Sequence, residues 1–181
     1  MSLHKHRSRM VTQGLTRAPH RAFLRGTGFD DAALQKSMVA IASTQGENTP
    51  CSMNLAPLAD RVRLGVAAGG GVPITFSTIS VSDGTSMNHA GMRMSLLSRE
   101  TIADSVELVV RGHAYDALVA MAGCDKTLPA MMMAITRLNV PSVFLYGGAT
   151  LPGHALGKQA TILDTIEAVA RCRTAKCRAK T

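Results

Sequence analysis

Short apolar runs and apolar stripes at helical spacing alternate along the chain from residue 36 onward. Residues 36–43, KSMVAIAS, are apolar and β-branched enough for a buried strand. Beyond a polar loop, Leu55, Leu58, Val62 and Val66 recur three or four residues apart, which predicts a helix stopping at Gly69, Gly70 and Gly71. VPITFSTI, residues 72–79, predicts a second strand, closed by a loop at Ser82, Asp83 and Gly84. A second helix is expected from about Ser98, which serves as its cap, with Ile102, Val106 and Val109 on one face. YDALVAMAG (115–123) then reads as a strand, LPAMMMAITRL (128–138) as a helix and VPSVFLYGG (140–148) as another strand. ATILDTIEAVA (160–170) predicts the last helix. Strands alternating with helices predict an α/β fold, a parallel sheet flanked by helices. No internal repeat or low-complexity linker interrupts it, so one domain is expected.

In open α/β sheets, ligands bind beyond the carboxyl ends of the strands. Cys51 lies in the loop after the first strand and Asp83 in the loop after the second. Cys124, Asp125 and Lys126 follow the third, with Thr127 a candidate cap and Pro129 in the first turn of the next helix. Three successive loops thus bring these residues to one edge. Two thiolates suit iron–sulfur iron, Zn or Cu, and two carboxylates suit Mg or Mn, so the set points to two centres of different hardness. An ammonium donates hydrogen bonds and cannot ligate a cation. Lys126 either binds a carboxylate substrate or becomes a ligand as a carbamate. Taken singly, each residue has a plainer reading: Cys51 as packing, Asp83 as a turn residue, and Met131, Met132 and Met133 as core filler. Leu128, Met131, Ile135 and Leu138 form the stripe that would hold the methionines inside. His89, His113 and His154 lack metal-binding spacing, and the GGG stretch does not fit GxGxxG between strand and helix.

Composition narrows the partners. A chain of 181 residues, 46% hydrophobic, can bury a core. Its net charge of +8 is concentrated at the ends: residues 1–29 carry six Lys or Arg and no acid, and residues 171–181 carry five and no acid. Between them, nine basic residues face twelve acidic ones. With 3% aromatics and no Trp, the body lacks the stacking partners of a nucleic-acid surface, and the basic ends read as solvated tails. No apolar run is long enough to span a bilayer, and the first thirty residues lack a secretory signal. Four cysteines without a CxxC pair do not suggest a disulfide framework, and the CxxxxC of Cys172 and Cys177 has no further zinc ligands nearby.

NTPCSMNL, VSDGTSM, GMRMSLLSRETIADSVE and GCDKTLPA, in that order, resemble the dihydroxy-acid and phosphogluconate dehydratase family, as does the opening RSRMVTQGLTRAPHRAFLRGTGF. YGGATLPGH resembles the dihydroxy-acid branch, with a sugar-acid or phosphogluconate dehydratase as the alternative. The resemblance implies the N-terminal α/β domain of a two-domain dehydratase, residues 1–170, followed by a basic, non-family tail, 171–181. It implies elimination of water from a 2,3-dihydroxy acid to a 2-keto acid in valine and isoleucine synthesis. Cys51 and Cys124 would hold an iron–sulfur cluster, 2Fe-2S in preference to 4Fe-4S, through two of three thiolates. Asp83 and Asp125 would hold Mg, joined by Lys126 as its carbamate. The divalent ion would then acidify the Cα proton while the open iron draws off the 3-hydroxyl.

The third cysteine, a further Glu ligand, the general base and a largely β second domain are features of the family that this sequence lacks, so a truncated copy with little activity of its own is expected. A small dihydroxy acid as ligand, a homodimer and a cytoplasmic location also follow from the resemblance, while composition and the short apolar runs predict no nucleic-acid or membrane partner. A non-catalytic remnant, or a partner of a full-length relative, is the reading from another class. Ser52, Thr85 and Asn88 depart from the family's usual residues, and Asn88 stands where glycine is usual.

Overall fold

The computed structural model describes residues 7–174, which fall into two compact units divided after Gly148. The first unit opens with short helical pieces: α1 (Arg9–Thr12), a 3-10 turn (Leu15–Arg17), α2 (Ala18–Gly26) and α3 (Asp31–Gln35). Asp30 caps α3, its carboxylate accepting from Ala33 N at 2.7 Å. The alternating body follows: β1 (Met38–Ser43), α4 (Pro50–Met53), α5 (Leu55–Ala68), β2 (Val72–Ser77), α6 (Asp83–Ser86), α7 (Met92–Gly112), β3 (Ala117–Ala122), α8 (Thr127–Leu138) and β4 (Ser142–Tyr146). All strand pairs are parallel and the sheet order is β2-β1-β3-β4.

The period of two along the strands divides the core. Met38, Ala40 and Ala42 of β1, with Leu118, Ala120 and Ala122 of β3, face Ile102, Ala103, Val106 and Val110 of α7 and Ala130, Met131, Ala134 and Leu138 of α8. Ile41 and Met121 face the other way, onto Leu55 and Ala59 of α5. Of the three methionines expected inside, Met131 is fully buried, Met133 is partly buried and Met132 is exposed, as α8 turns each to a different side. The helices stop where the chemistry demands: α5 at Gly69, and α8 at Asn139, whose φ of 48° is the left-handed conformation asparagine tolerates.

The structure departs from the sequence expectation in several places, among them Cys51, which lies on the short helix α4 rather than in a loop. First, α7 begins at Met92, so Ser98 is a buried mid-helix residue rather than a cap. Second, Asp83 opens a single helical turn instead of lying in a loop, because the Ser82 hydroxyl accepts from Thr85 N and the Ser82 carbonyl accepts from Ser86 Oγ at 2.6 Å. Third, the basic start is not a solvated tail from residue 7 onward. Arg7 N and Ser8 N donate to Asp116 Oδ1 at 2.7 and 2.9 Å, and Ser8 Oγ and Met38 N donate to Asp116 Oδ2 at 2.6 and 2.9 Å. The Arg7 guanidinium reaches the Leu138 carbonyl at the end of α8, where a cation suits the helix dipole. Burial alone would raise the Asp116 carboxyl, but the hydrogen bonds from Ser8, Met38 and Arg7 together hold it below its ordinary value.

The second unit contains an antiparallel hairpin, β5 (Gly153–Ala155) and β6 (Lys158–Ala160), and α9 (Ile162–Thr174). Leu156 and Gly157, with φ of 51° and 74°, form the turn. Cys172 lies exposed on α9, whereas Cys177 lies outside the described residues. No helix among the described residues is long and apolar enough to cross a membrane.

Candidate metal centre

The order β2-β1-β3-β4 makes the chain leave β1 toward β2 by way of α5 on one face, then cross back to β3 and on to β4 by way of α7 and α8 on the other. The direction of winding reverses between β1 and β3, and the crevice beyond the carboxyl ends of such a pair is where open α/β sheets place ligands. Cys51, on α4, follows β1, and Cys124 follows β3, one on each lip of the crevice. Asp83, on α6, follows β2. The connections are also tied to one another. Asn48 Nδ2 donates to the Ser80 carbonyl, and the Ser52 and Ser80 hydroxyls stand 3.3 Å apart.

Lys126 joins the carboxylates: its Nζ donates to Asp83 Oδ2 at 2.8 Å and also to Asp125 Oδ2. The hydrogen bond from Lys126 holds the Asp125 carboxyl below its ordinary value, and its bonds to Asp125 and then Asp83 raise the Lys126 ammonium. Two carboxylates drawn round one positive charge are what a divalent cation would also satisfy. Cys124 is buried beside Cys51, and neither is in a disulfide. Burial pushes the Cys124 thiol above its ordinary value and the neighbouring Cys51 thiol adds to this, while backbone N–H groups of Asp125 and Asp83 act against it. The structure therefore brings all five expected residues to one sheet edge, the thiols beside each other and the carboxylates round the lysine.

Glycines make this approach feasible. A Cβ at Gly123 would strike the Cys51 carbonyl and come within 2.6 Å of the Gly148 Cα. One at Gly148 would strike the Gly123 carbonyl, and one at Gly147 would meet the side chains of Leu55 and Leu58 at 2.7 Å. Thr127, fully buried and the first residue of α8, fixes the Cys124 backbone from the other side. Its Oγ1 accepts from Cys124 N and donates to the Cys124 carbonyl, both at 2.9 Å, while Lys126 takes the cap position. Thr127→Val keeps the shape but removes both bonds. It is expected to cost about 1–3 kcal/mol in urea unfolding, and Thr127→Ser much less.

Among the described residues, no group of three or more His, Cys, Asp or Glu converges as a metal site. The donors therefore fit in kind, soft beside soft and hard beside hard, with two of each. His89 is engaged locally, Nε2 at 3.1 Å from the Thr85 carbonyl and Nδ1 accepting from Gly91 N at 3.0 Å. Asn88 has a φ of 63°, the left-handed conformation that explains a family glycine there and that asparagine also adopts. Two buried hydroxyls at this edge escaped the sequence reading. The Thr44 side-chain oxygen, just beyond β1, has no partner among the described residues, and Ser95 on α7 donates to Asp83 Oδ1. Ser95 belongs to the block GMRMSLLSRE, but nothing in its hydrophobic pattern marks it as inward-facing.

The family described as "Dihydroxy-acid/6-phosphogluconate dehydratase N-terminal" matches residues 36–181. "Dihydroxy-acid dehydratase 2" of Bordetella bronchiseptica is 88% identical over 94% of the chain and 30% of its own length. "Dihydroxy-acid dehydratase 3" of Bradyrhizobium diazoefficiens is 56% identical over 93% of the chain and 29% of its own length. "Dihydroxy-acid dehydratase" of Pelagibacter ubique is 53% identical over 96% and 30%. The chain thus spans about 30% of the length of the curated relatives it matches.

Proposed function

The chain belongs to the dihydroxy-acid/6-phosphogluconate dehydratase family, and from that premise we propose that it is the metal-holding N-terminal part of a dihydroxy-acid dehydratase. The reaction is loss of water from a 2,3-dihydroxy acid to give a 2-keto acid, in the synthesis of valine and isoleucine. The observation that carries this reading is the meeting of Asp83, Asp125 and Lys126 beside the Cys51–Cys124 thiol pair. In it, Cys51 and Cys124 supply two thiolates to an iron–sulfur cluster, of 2Fe-2S type, and Asp83 and Asp125 hold Mg, with Lys126 joining as its carbamate. Bound metals supply Lewis acidity toward the substrate's carboxylate and hydroxyls. The chain's own share is positional. Cys124 is held by Thr127, and the glycines let the Cys51 and Cys124 segments close up. The general base is assigned to no residue of this chain.

A homodimer in the cytoplasm, with a small dihydroxy acid as ligand and neither nucleic acid nor membrane as partner, completes the proposal. Met94, Leu96 and Leu97, exposed together near the start of α7, support a covering partner.

The test is a chimera in which the chain replaces the matching part of the Bordetella relative. It is expected to convert 2,3-dihydroxy-3-methylbutanoate to its keto acid, and Cys124→Ser is expected to abolish this. With two thiolates and two carboxylates, the 181-residue chain alone, reconstituted with iron without oxygen and given Mg, is expected to form no keto acid. A folded, iron-loaded chimera without activity would sink the reading.

A further inference from the structure

The first two turns of α7 carry their hydrophobicity inside out. Leu96 and Leu97 are 51% and 62% exposed, while Ser95 is 0% exposed. A buried helical serine commonly satisfies its hydroxyl on a carbonyl one turn back. Ser98 does this, donating to the Ser95 carbonyl at 2.6 Å. The Ser95 hydroxyl instead leaves the helix and donates to Asp83 Oδ1. The two oxygens of Asp83 are thereby divided. Oδ1 is held by Ser95 of the 21-residue helix α7, and Oδ2 faces Lys126, which also bonds Asp125.

We propose that Ser95 is the positioning residue of the divalent-cation site, fixing the Asp83 carboxylate so that Oδ2 alone is presented to the ion. The inference rests on the metal reading above and adds to it a residue that never touches the ion. A hydrogen-bond donor behind a carboxylate ligand sets its rotamer and lowers the ordering cost of binding, and losing such a partner typically weakens metal affinity about 10–100-fold. Ser95→Ala removes one oxygen at a helical position where alanine is the better helix former, so the fold itself has little to lose. Ser98→Ala is the matched control, the same substitution at a buried serine one turn on, without a bond to Asp83.

The experiment titrates the full ¹⁵N-labelled chain with manganese(II) and follows paramagnetic loss of the amide signals of residues 83 and 125. Thermal unfolding of each metal-free variant is measured alongside. Ser95→Ala is expected to weaken manganese binding about 10–100-fold, with its thermal midpoint within about 3 °C of wild type. Ser98→Ala is expected to bind as wild type does. Equal binding by wild type and Ser95→Ala overturns the positioning role and leaves the metal reading standing. Weaker binding accompanied by a larger fall in midpoint overturns it as well, because the role is then structural. Wild type that binds no manganese overturns the metal reading, and this inference with it.

Discussion

Alanine at Gly148 is expected to lower the thermal midpoint of the chain by roughly 10 °C and to abolish iron uptake on anaerobic reconstitution. The added methyl would strike the carbonyl of Gly123, and main chain cannot rotate aside as a side-chain tip can. Gly123 also lies against the Cys51 carbonyl, so separating residues 123 and 148 disturbs the packing of the Cys124 loop on the Cys51 segment or opens the sheet beyond β3 and β4. Either movement changes the thiol–thiol approach on which the proposed cluster depends. The cost is set at about 3 kcal/mol, the upper part of the range for overpacking, because both partners are backbone. Gly65 on α5 gives the contrast. A Cβ there meets nothing within 4 Å, and alanine in an exposed helix interior is expected to stabilise by about 0.5–1 kcal/mol. Circular-dichroism melts and iron per chain are the measurements. A Gly148→Ala chain matching wild type in both would show that the two segments can part without loss.

Asp116→Ala is expected to cost about 3–5 kcal/mol. The carboxylate accepts from three backbone N–H groups and one hydroxyl, nearly all shielded from water, and its removal leaves those donors buried with nothing to bond. Asp116→Asn keeps an acceptor for one pair of donors and turns an amide N–H toward the other, so an intermediate loss is expected, read from urea midpoints. The pH dependence has a definite sign. Asp116 is held below its ordinary value in the folded chain, so the unfolded chain binds more protons across that interval and stability rises with pH there. Its contribution is complete above the unfolded value of about 3.9 and is lost as pH falls through the lower folded value. Wild type is therefore expected to lose stability on acidification more steeply than Asp116→Asn. Parallel curves would mean that the carboxylate's charge contributes nothing.

Much of the architecture was legible because it is local. The strand over β1 and the stripe Leu55, Leu58, Val62 and Val66 declare themselves by period, and the strand-to-helix connections that carry Cys51, Asp83 and Cys124 follow from strand and helix alternation. The start of α7 was not legible, because MRMSLLS turns leucines outward and serines inward, the reverse of what periodicity assumes. The missed helix start hid Ser95 with it. The turn of α6 was hidden in Ser82-Asp83-Gly84, where the cap that makes helix is the residue that also makes turns. The anchoring of residues 7 and 8 was out of reach for another reason, since it joins positions 109 and 108 apart and leaves no local pattern.

That separation also sets an order of events during synthesis. Arg7 and Ser8 leave the ribosome more than a hundred residues ahead of Asp116, roughly 5–20 s at ordinary elongation rates. Throughout that interval the opening helices have no carboxylate to dock on. Residues 7 and 8 thus stay unsecured until synthesis has reached the residue just before β3, the strand that pairs with β1 at the centre of the sheet.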